Sequence, residues 1–334
     1  MKLALKITPQ RSTQYADMAE KLAAPELLAS PLAPAIQRIE PIKLAGQNYL
    51  LVALDDAEQP LMLDVLARLG ATSEAYEYFE HIGEMQGPFL RPLDYSFTPF
   101  VPVEMAEVRR YKGKTNEVFT RVLLNVALFA GACGERPGGR LRVLDPLAGG
   151  GTTLFLALAA GYDAFGIEQQ KQDVETTAIF IRQYLHSAHI PYKERDEQGR
   201  RVGRRYLFEI GHKGATRLLV LAHGDTVQAD LHLQDAPGGA HMHAIVADLP
   251  YGIQHFGEIS TLLSGALPVW ERLLLPGGAL ALAWNATRIE RDDMLACLEN
   301  STHLRVLNDP PYTLFEHAVD RVIKKRDIIV AVKG

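Results

Sequence analysis

The chain has almost no cysteine. Cys133 and Cys297 are the only two in 334 residues, far apart and without Cys-x-x-Cys spacing, which excludes a disulfide framework and argues against a thiolate metal site. Long apolar runs are absent too: a membrane-spanning helix needs roughly 20 such residues, and the most apolar stretch, near Leu154 to Ala160, ends at Gly161-Tyr162-Asp163. The run from Met1 to Ile7 is too short for a signal-peptide core, so a reducing cytoplasm and no membrane partner are expected. A basic excess is missing as well. With a net charge of −5, any nucleic-acid contact has to be a local patch. What remains, 47% hydrophobic and 22% charged residues, suffices for one large domain and a smaller one.

The first 86 residues read as a small α+β domain. They hold a Pro- and Ala-rich segment (Pro25, Pro31, Pro34, Pro41), a strand from Asn48 to Leu54 and a helix from Leu61 to Leu69. Pro88, Pro92, Pro99 and Pro102 mark residues 87–109 as an extended linker. From Arg110 to the C-terminus the pattern changes. Val118, Val122, Leu123 and Val126 recur at helical spacing, and short apolar runs then alternate with helical stretches: Arg142–Leu144, Ala164–Ile167, Leu218–Ala222, Ala244–Ala247, Ala279–Ala283 and Ile328–Val332. That alternation is the mark of a mostly parallel sheet with helical crossovers. Arg204–Ile210 and Arg217–Leu221 are spaced to pair as a hairpin.

The first of these strands runs into Asp145-Pro146-Leu147-Ala148-Gly149-Gly150-Gly151-Thr152-Thr153, a carboxylate followed by a glycine-rich turn that opens a helix. Glycines let backbone approach a ligand closely, and a helix start offers free N–H groups. A phosphate-gripping P-loop would place Lys after the last glycine, where Thr152 stands, and a dinucleotide fingerprint would need glycine at Leu154. Neither fits. The segment resembles instead the Asp-Pro-Phe-x-Gly-x-Gly-Thr-Thr motif of S-adenosylmethionine (SAM)-dependent amino-methyltransferases. The resemblance implies a Rossmann-like α/β domain of seven mostly parallel strands, the last antiparallel, with this loop around the methionine part of SAM. It further implies that Glu168, beside Gln169 at the next strand end, takes the ribose hydroxyls, and that Asp225, followed by Thr226, takes the adenine amino group. In the same family a Gly-x-Thr-Ser-like stretch precedes the loop. Gly113 to Glu117 occupies that place, so Lys114, Thr115 and Asn116 are expected near the SAM carboxylate.

A second box, Asp248-Leu249-Pro250-Tyr251-Gly252 after the strand 244–247, resembles the Asp/Asn-Pro-Pro-Tyr/Phe box of this family. An exocyclic base amine is a poor nucleophile because its lone pair is delocalised into the ring. The box implies that the Asp248 carboxylate and the Leu249 carbonyl accept its N–H groups, and that Tyr251 stacks on the base. Asp309-Pro310-Pro311-Tyr312 spells the motif more literally but lies beyond the fifth strand, so it is read as a structural turn. The spelling at 248–252 is closer to tRNA guanine-N2 methyltransferases that carry THUMP domains, which makes RNA the expected partner ahead of DNA, although residues 1–100 show no THUMP pattern. DNA adenine-N6 or cytosine-N4 methylation, a non-catalytic nucleic-acid-binding module of the same fold, and a nicotinamide-dependent oxidoreductase are the alternatives.

A basic, aromatic insertion between the second and third strands includes Arg200, Arg201, Arg204 and Arg205 with Tyr192 and Tyr206, suited to phosphates and bases or else simply a solvated hairpin. His223, His232, His241 and His243 crowd one region without a third ligand at metal spacing, so no metal is expected. No oligomeric state is implied.

Overall fold

The computed structural model describes every residue except 11, 56–57, 96, 135–139, 199–202, 238, 251–255 and 320–323, and omits the side chains of 14 and 256. The N-terminal part runs β1 (Lys2–Ile7), α1 (Thr13–Leu28), β2 (Ile36–Leu44), β3 (Gln47–Leu54), α2 (Gln59–Arg68), β4 (Thr72–Ile82) and β5 (Met85–Pro92). Its sheet is antiparallel in the order β2-β3-β1-β4-β5, a ferredoxin-like β-α-β-β-α-β unit with one added edge strand. The boundary expected at residue 86 therefore moves to Pro92 or beyond. Pro88 and Pro92 suggested a linker, yet an edge strand tolerates proline because one side of its backbone has no ladder to feed. Ala-rich α1 likewise forms despite Pro25; Ser12 caps it by accepting the Tyr15 N–H at 3.2 Å.

One buried carboxylate fastens this unit to the rest of the chain. Glu26 on α1 is wholly buried; it accepts the backbone N–H groups of Gly70 (2.8 Å) and Ala71 (2.9 Å). It also accepts the Asn125 side-chain amide at 2.7 Å, from the helix α4 described next. Gly70 lies so flat on that helix that a Cβ there would come within 3.0 Å of the Val122 nitrogen.

Residues 93–334 contain α3 (Glu104–Val108), α4 (Glu117–Ala130), β6 (Arg142–Asp145), α5 (Thr152–Ala159), β7 (Asp163–Glu168), α6 (Lys171–Ser187), β8 (Tyr192–Gln198), β9 (Arg204–Ile210), β10 (Arg217–His223), α7 (Ala229–Leu233), β11 (Met242–Asp248), α8 (Phe256–Leu273), β12 (Leu274–Asn285), α9 (Arg291–Ser301), β13 (Arg305–Leu307) and β14 (Arg326–Val332). The sheet order is β13-β14-β12-β11-β6-β7-β10-β9-β8. From β10 through β12 neighbouring strands are parallel, and β14 is antiparallel to both of its neighbours. The chain is thus a Rossmann-like α/β protein behind a small N-terminal α+β domain. The seven strands expected are present, and the difference from seven to nine is the β8–β9 hairpin, which adds to the β10 edge.

Burial on both faces explains why these strands read as unbroken apolar runs. Phe119, Phe155 and Leu154 fill one face, and Trp270, Trp284 and Phe165 the other. Strand order reverses between β6 and β11, and ligands in open α/β sheets bind in the crevice at the carboxyl ends of the strands beside such a switch point. Asp145 and Asp248 end those two strands.

Candidate functional site

A cavity of about 640 Å³ opens at this point, within the usual size for small-molecule sites. Pro146, Leu147, Ala148 and Gly149 form one wall, Glu168, Gln169 and Gln170 a second, Gly224, Asp225 and Thr226 a third, and Asp248, Leu249 and Pro250 a fourth. The loop is shaped by local chemistry. Gly149 and Gly151 adopt φ of +50° and +89°, a region that disfavours any side chain. Between them, Gly150 sits under the ring of Tyr111, which a Cβ would meet at 2.4 Å, and the Tyr111 hydroxyl lies 2.7 Å from Thr152 Oγ1. Gly150 and Gly151 therefore support the loop from behind, and only Gly149 of the three lines the cavity.

The carboxylates also build the loop. Glu168 accepts the Gly149 N–H at 2.9 Å with Oε2 and the Gln170 N–H at 2.6 Å with Oε1. Asp145 accepts the Leu147 N–H at 3.0 Å. Burial pushes the Asp145 carboxyl up to about 7; hydrogen bonds from Thr153 and Leu147 oppose the rise, and the negative charges of Asp248 and Glu168 add to it. Asp225 caps the turn after β10 by accepting the Val227 N–H, while the Thr226 hydroxyl accepts the buried Trp270 indole N–H at 2.9 Å.

Asp248 is held from the side opposite the loop. Thr115, just before α4, donates its hydroxyl to Asp248 Oδ2 at 2.7 Å, and the buried Arg326 guanidinium stands 3.9 Å from the same oxygen. Arg326 is itself stacked over the Phe119 ring at 4.3 Å. The backbone of Arg326 pairs both ways with that of His317, and burial pulls the His317 imidazole down to about 4, so it packs against Phe119 as a neutral ring.

The charge of the lining is one-sided. Asp145, Glu168, Asp225 and Asp248 all face the cavity, and among the described residues no Lys, Arg or His does. A phosphate-rich ligand would be repelled there, whereas a ligand carrying positive charge and hydroxyl donors would be held.

No protein-family model matches the chain. No curated protein matches it either. Solved structures do. TrmN from Thermus thermophilus is 16% identical with a TM-score of 0.42 over 90% of this chain, which spans about 60% of the TrmN chain. A methyltransferase homolog protein from Pyrococcus horikoshii is 12% identical with a TM-score of 0.40, covering 100% of this chain and 86% of that one. The T. thermophilus 16S rRNA N2 G1207 methyltransferase RsmC, solved with AdoMet and guanosine, is 16% identical with a TM-score of 0.39, covering 90% of this chain and 59% of that one. At such identities and scores neither substrate nor cofactor follows from the likeness, and both rest on the residues of the site.

Several expected residues lie elsewhere. Lys114 is tied to Glu117 and donates to the Glu107 carbonyl, and Asn116 caps α4, so of the three residues 114–116 only Thr115 reaches the cavity. Tyr251, like Gly252, falls outside the described residues. So do Arg200 and Arg201. Arg204 is paired with Asp196 (2.6 Å) and Glu175 (3.2 Å), and Arg205 with Glu197 (2.6 Å) and the His232 carbonyl. Those two arginines are engaged in holding the β8–β9 hairpin together and to α6, through Asp196 and Glu197 on β8 and Glu175 on α6. Asp309 to Tyr312 lies between β13 and β14 and does not line the cavity. Among the described residues no group of three His, Cys, Asp or Glu side chains could hold a metal, and no helix is long and apolar enough to cross a membrane. The sequence reading missed Tyr111, whose only signal was an aromatic residue inside the Arg109–Lys114 run, and Leu262 on α8.

Proposed function

We propose that this chain is a SAM-dependent N-methyltransferase acting on an exocyclic amino group of a nucleic-acid base, guanine N2 of structured RNA foremost. The observation that carries the reading is the cavity lined by four carboxylates and, among the described residues, by no basic side chain, with a fixed Asp248 on its wall. The acidic lining opposes the nicotinamide alternative, since a pyrophosphate would sit among carboxylates. The residues fit SAM: Glu168 and Asp225 offer acceptors to ribose and adenine, the Gly149 backbone admits close approach, and Asp145 faces cationic groups as a counter-charge. When bound, SAM supplies an electrophilic methyl group on a sulfonium centre.

Every other part of the chemistry falls to the chain. A carboxylate has about four lone-pair directions, and Thr115 occupies one of those on Asp248. Asp248 accepts an N–H of the target amine, which turns the nitrogen lone pair away from the ring and stabilises positive charge as it develops on nitrogen. The Arg326 guanidinium, 3.9 Å from Asp248 Oδ2, places a positive charge behind that carboxylate. Leu249 N–H is spent on the Ala283 carbonyl at 2.8 Å, which fixes the strand end from which the Leu249 carbonyl serves as second acceptor. Guanine N2 rests on the resemblance of residues 248–252 to the tRNA enzymes. The test is transfer of labelled methyl from SAM to matched tRNA, rRNA and DNA pools, followed by nucleoside analysis. N2-methylguanosine in RNA supports the full reading; methyladenine or methylcytosine in DNA keeps the chemistry and replaces the substrate; no transfer to any pool refutes it.

A further inference from the structure

The acidic catalytic cavity repels the phosphodiester groups of a nucleic-acid substrate, so the strand flanking the target base has to be gripped elsewhere. A second cavity, of about 760 Å³, lies between the N-terminal domain and α4. It begins one residue along the chain from the first: Gly113 and Thr115 line the catalytic cavity, and Asn116 and Glu117 line this one. Its charge differs: two arginines and two glutamates line it, where the first cavity has carboxylates alone among the described residues. Arg110 and Arg121 line it, and neither has a hydrogen bond or ion pair among the described residues. Of the acidic side chains there, Glu117 is paired with Lys114, and Glu107 acts on Arg121 together with the buried Glu26.

Arg121 is half-buried, and burial pulls its guanidinium down while Glu26 and Glu107 raise it in part. A desolvated arginine of this kind is poised for an anion from outside. Its position is rigid. The backbone at Gly70 runs so close to the Arg121 stem that a Cβ there would meet the Arg121 Cβ at 3.0 Å, and the Glu26 bonds to Gly70, Ala71 and Asn125 lock the two domains around it. The partly exposed rings of Tyr15 and Tyr95 and the hydroxyl of Ser73 complete the wall, an aromatic and basic mixture suited to a stacked base beside a phosphate.

We propose that this interdomain cavity binds the phosphodiester and base adjoining the nucleotide in the catalytic cavity, with Arg110 and Arg121 as the phosphate ligands. The proposal rests on the nucleic-acid reading of the catalytic site, and it gives the N-terminal domain a part in substrate recognition. RNA and DNA share the phosphodiester, so the test uses both.

Fluorescein-labelled RNA and single-stranded DNA 20-mers of one mixed sequence are titrated with full-length wild type, Arg110→Ala and Arg121→Met over a series of salt concentrations. SAM affinity and melting temperature are measured in parallel. The expected result is roughly tenfold weaker binding per substitution. The slope of log K against log salt should also become shallower by about one for each arginine. SAM affinity stays unchanged, and the arm that responds identifies the strand recognised. Should Arg121→Met fold poorly, Arg110→Glu at the exposed position gives the same reading. Unchanged affinity and slope in variants of a wild type that does bind would overturn the cavity alone. A wild type that binds SAM but neither oligonucleotide would overturn the nucleic-acid reading and the proposal with it.

Discussion

Replacing Glu26 by Ala removes one carboxylate and strands three donors: the Gly70 and Ala71 N–H groups and the Asn125 amide. A buried donor left without a partner costs about 1–3 kcal/mol, and release of a carboxylate whose charged form burial disfavours offsets part of the sum. The net loss is roughly 3–5 kcal/mol, which at about 2–4 °C per kcal/mol lowers the melting temperature by roughly 6–20 °C. Glu26→Gln keeps one oxygen for two donors and turns its own amide toward a third, so it should fall about midway. The pH dependence has a definite sign. Burial raises the Glu26 pKa in the folded protein, so its contribution is full below the ordinary carboxylate range and declines as pH rises through the folded value. Glu26→Gln is therefore less costly at pH 8 than at pH 5. Calorimetric scans of the three proteins at both pH values measure this. A Glu26→Ala protein melting within 2 °C of wild type, or a Gln penalty that grows with pH, would refute the reasoning.

Thr115→Val keeps the side-chain volume and removes the donor to Asp248; kcat for methyl transfer should fall roughly fivefold to tenfold with SAM affinity unchanged, as initial rates and calorimetry can show. Gly150→Ala drives a methyl group into the Tyr111 ring, so SAM binding should weaken at least tenfold, and adding Tyr111→Ala should recover part of it in equilibrium dialysis. Asp145, at about 7 in the ligand-free protein, becomes easier to ionise beside a cationic ligand. SAM binding should then tighten between pH 6 and 7.5 and level off above, with proton release below pH 7 visible as a dependence of binding heat on buffer.

The half of the chain that holds the site was the more legible. Parallel strands buried on both faces show as apolar runs, and Asp145, Glu168, Asp225 and Asp248 each stand where such a run ends. The choice of Asp248 over Asp309 rested on strand position, and the switch point between β6 and β11 puts Asp248 on the cavity wall. The N-terminal domain was read poorly for a physical reason. The half-exposed strand β2 carries its aliphatic residues at Ile36, Ile39, Ile42 and Leu44, with a register shift near Ile36, so it lacks the period-two pattern that would mark a strand, and prolines on the edge strand β5 imitate a linker. Glu26 was invisible because its partners lie 44 to 99 residues away. Lys114, in the turn before α4, pairs with Glu117 in the first turn of that helix, a local contact the family resemblance does not convey.

The most direct measurement is single-turnover methyl transfer alongside equilibrium SAM binding for wild type and Asp248→Asn. The Asn side chain keeps the shape and loses the negative charge, so SAM affinity should stay within about threefold while the transfer rate falls on the order of 10²- to 10⁴-fold. Transfer at the wild-type rate by Asp248→Asn, or failure of the wild type to bind SAM, would contradict the account.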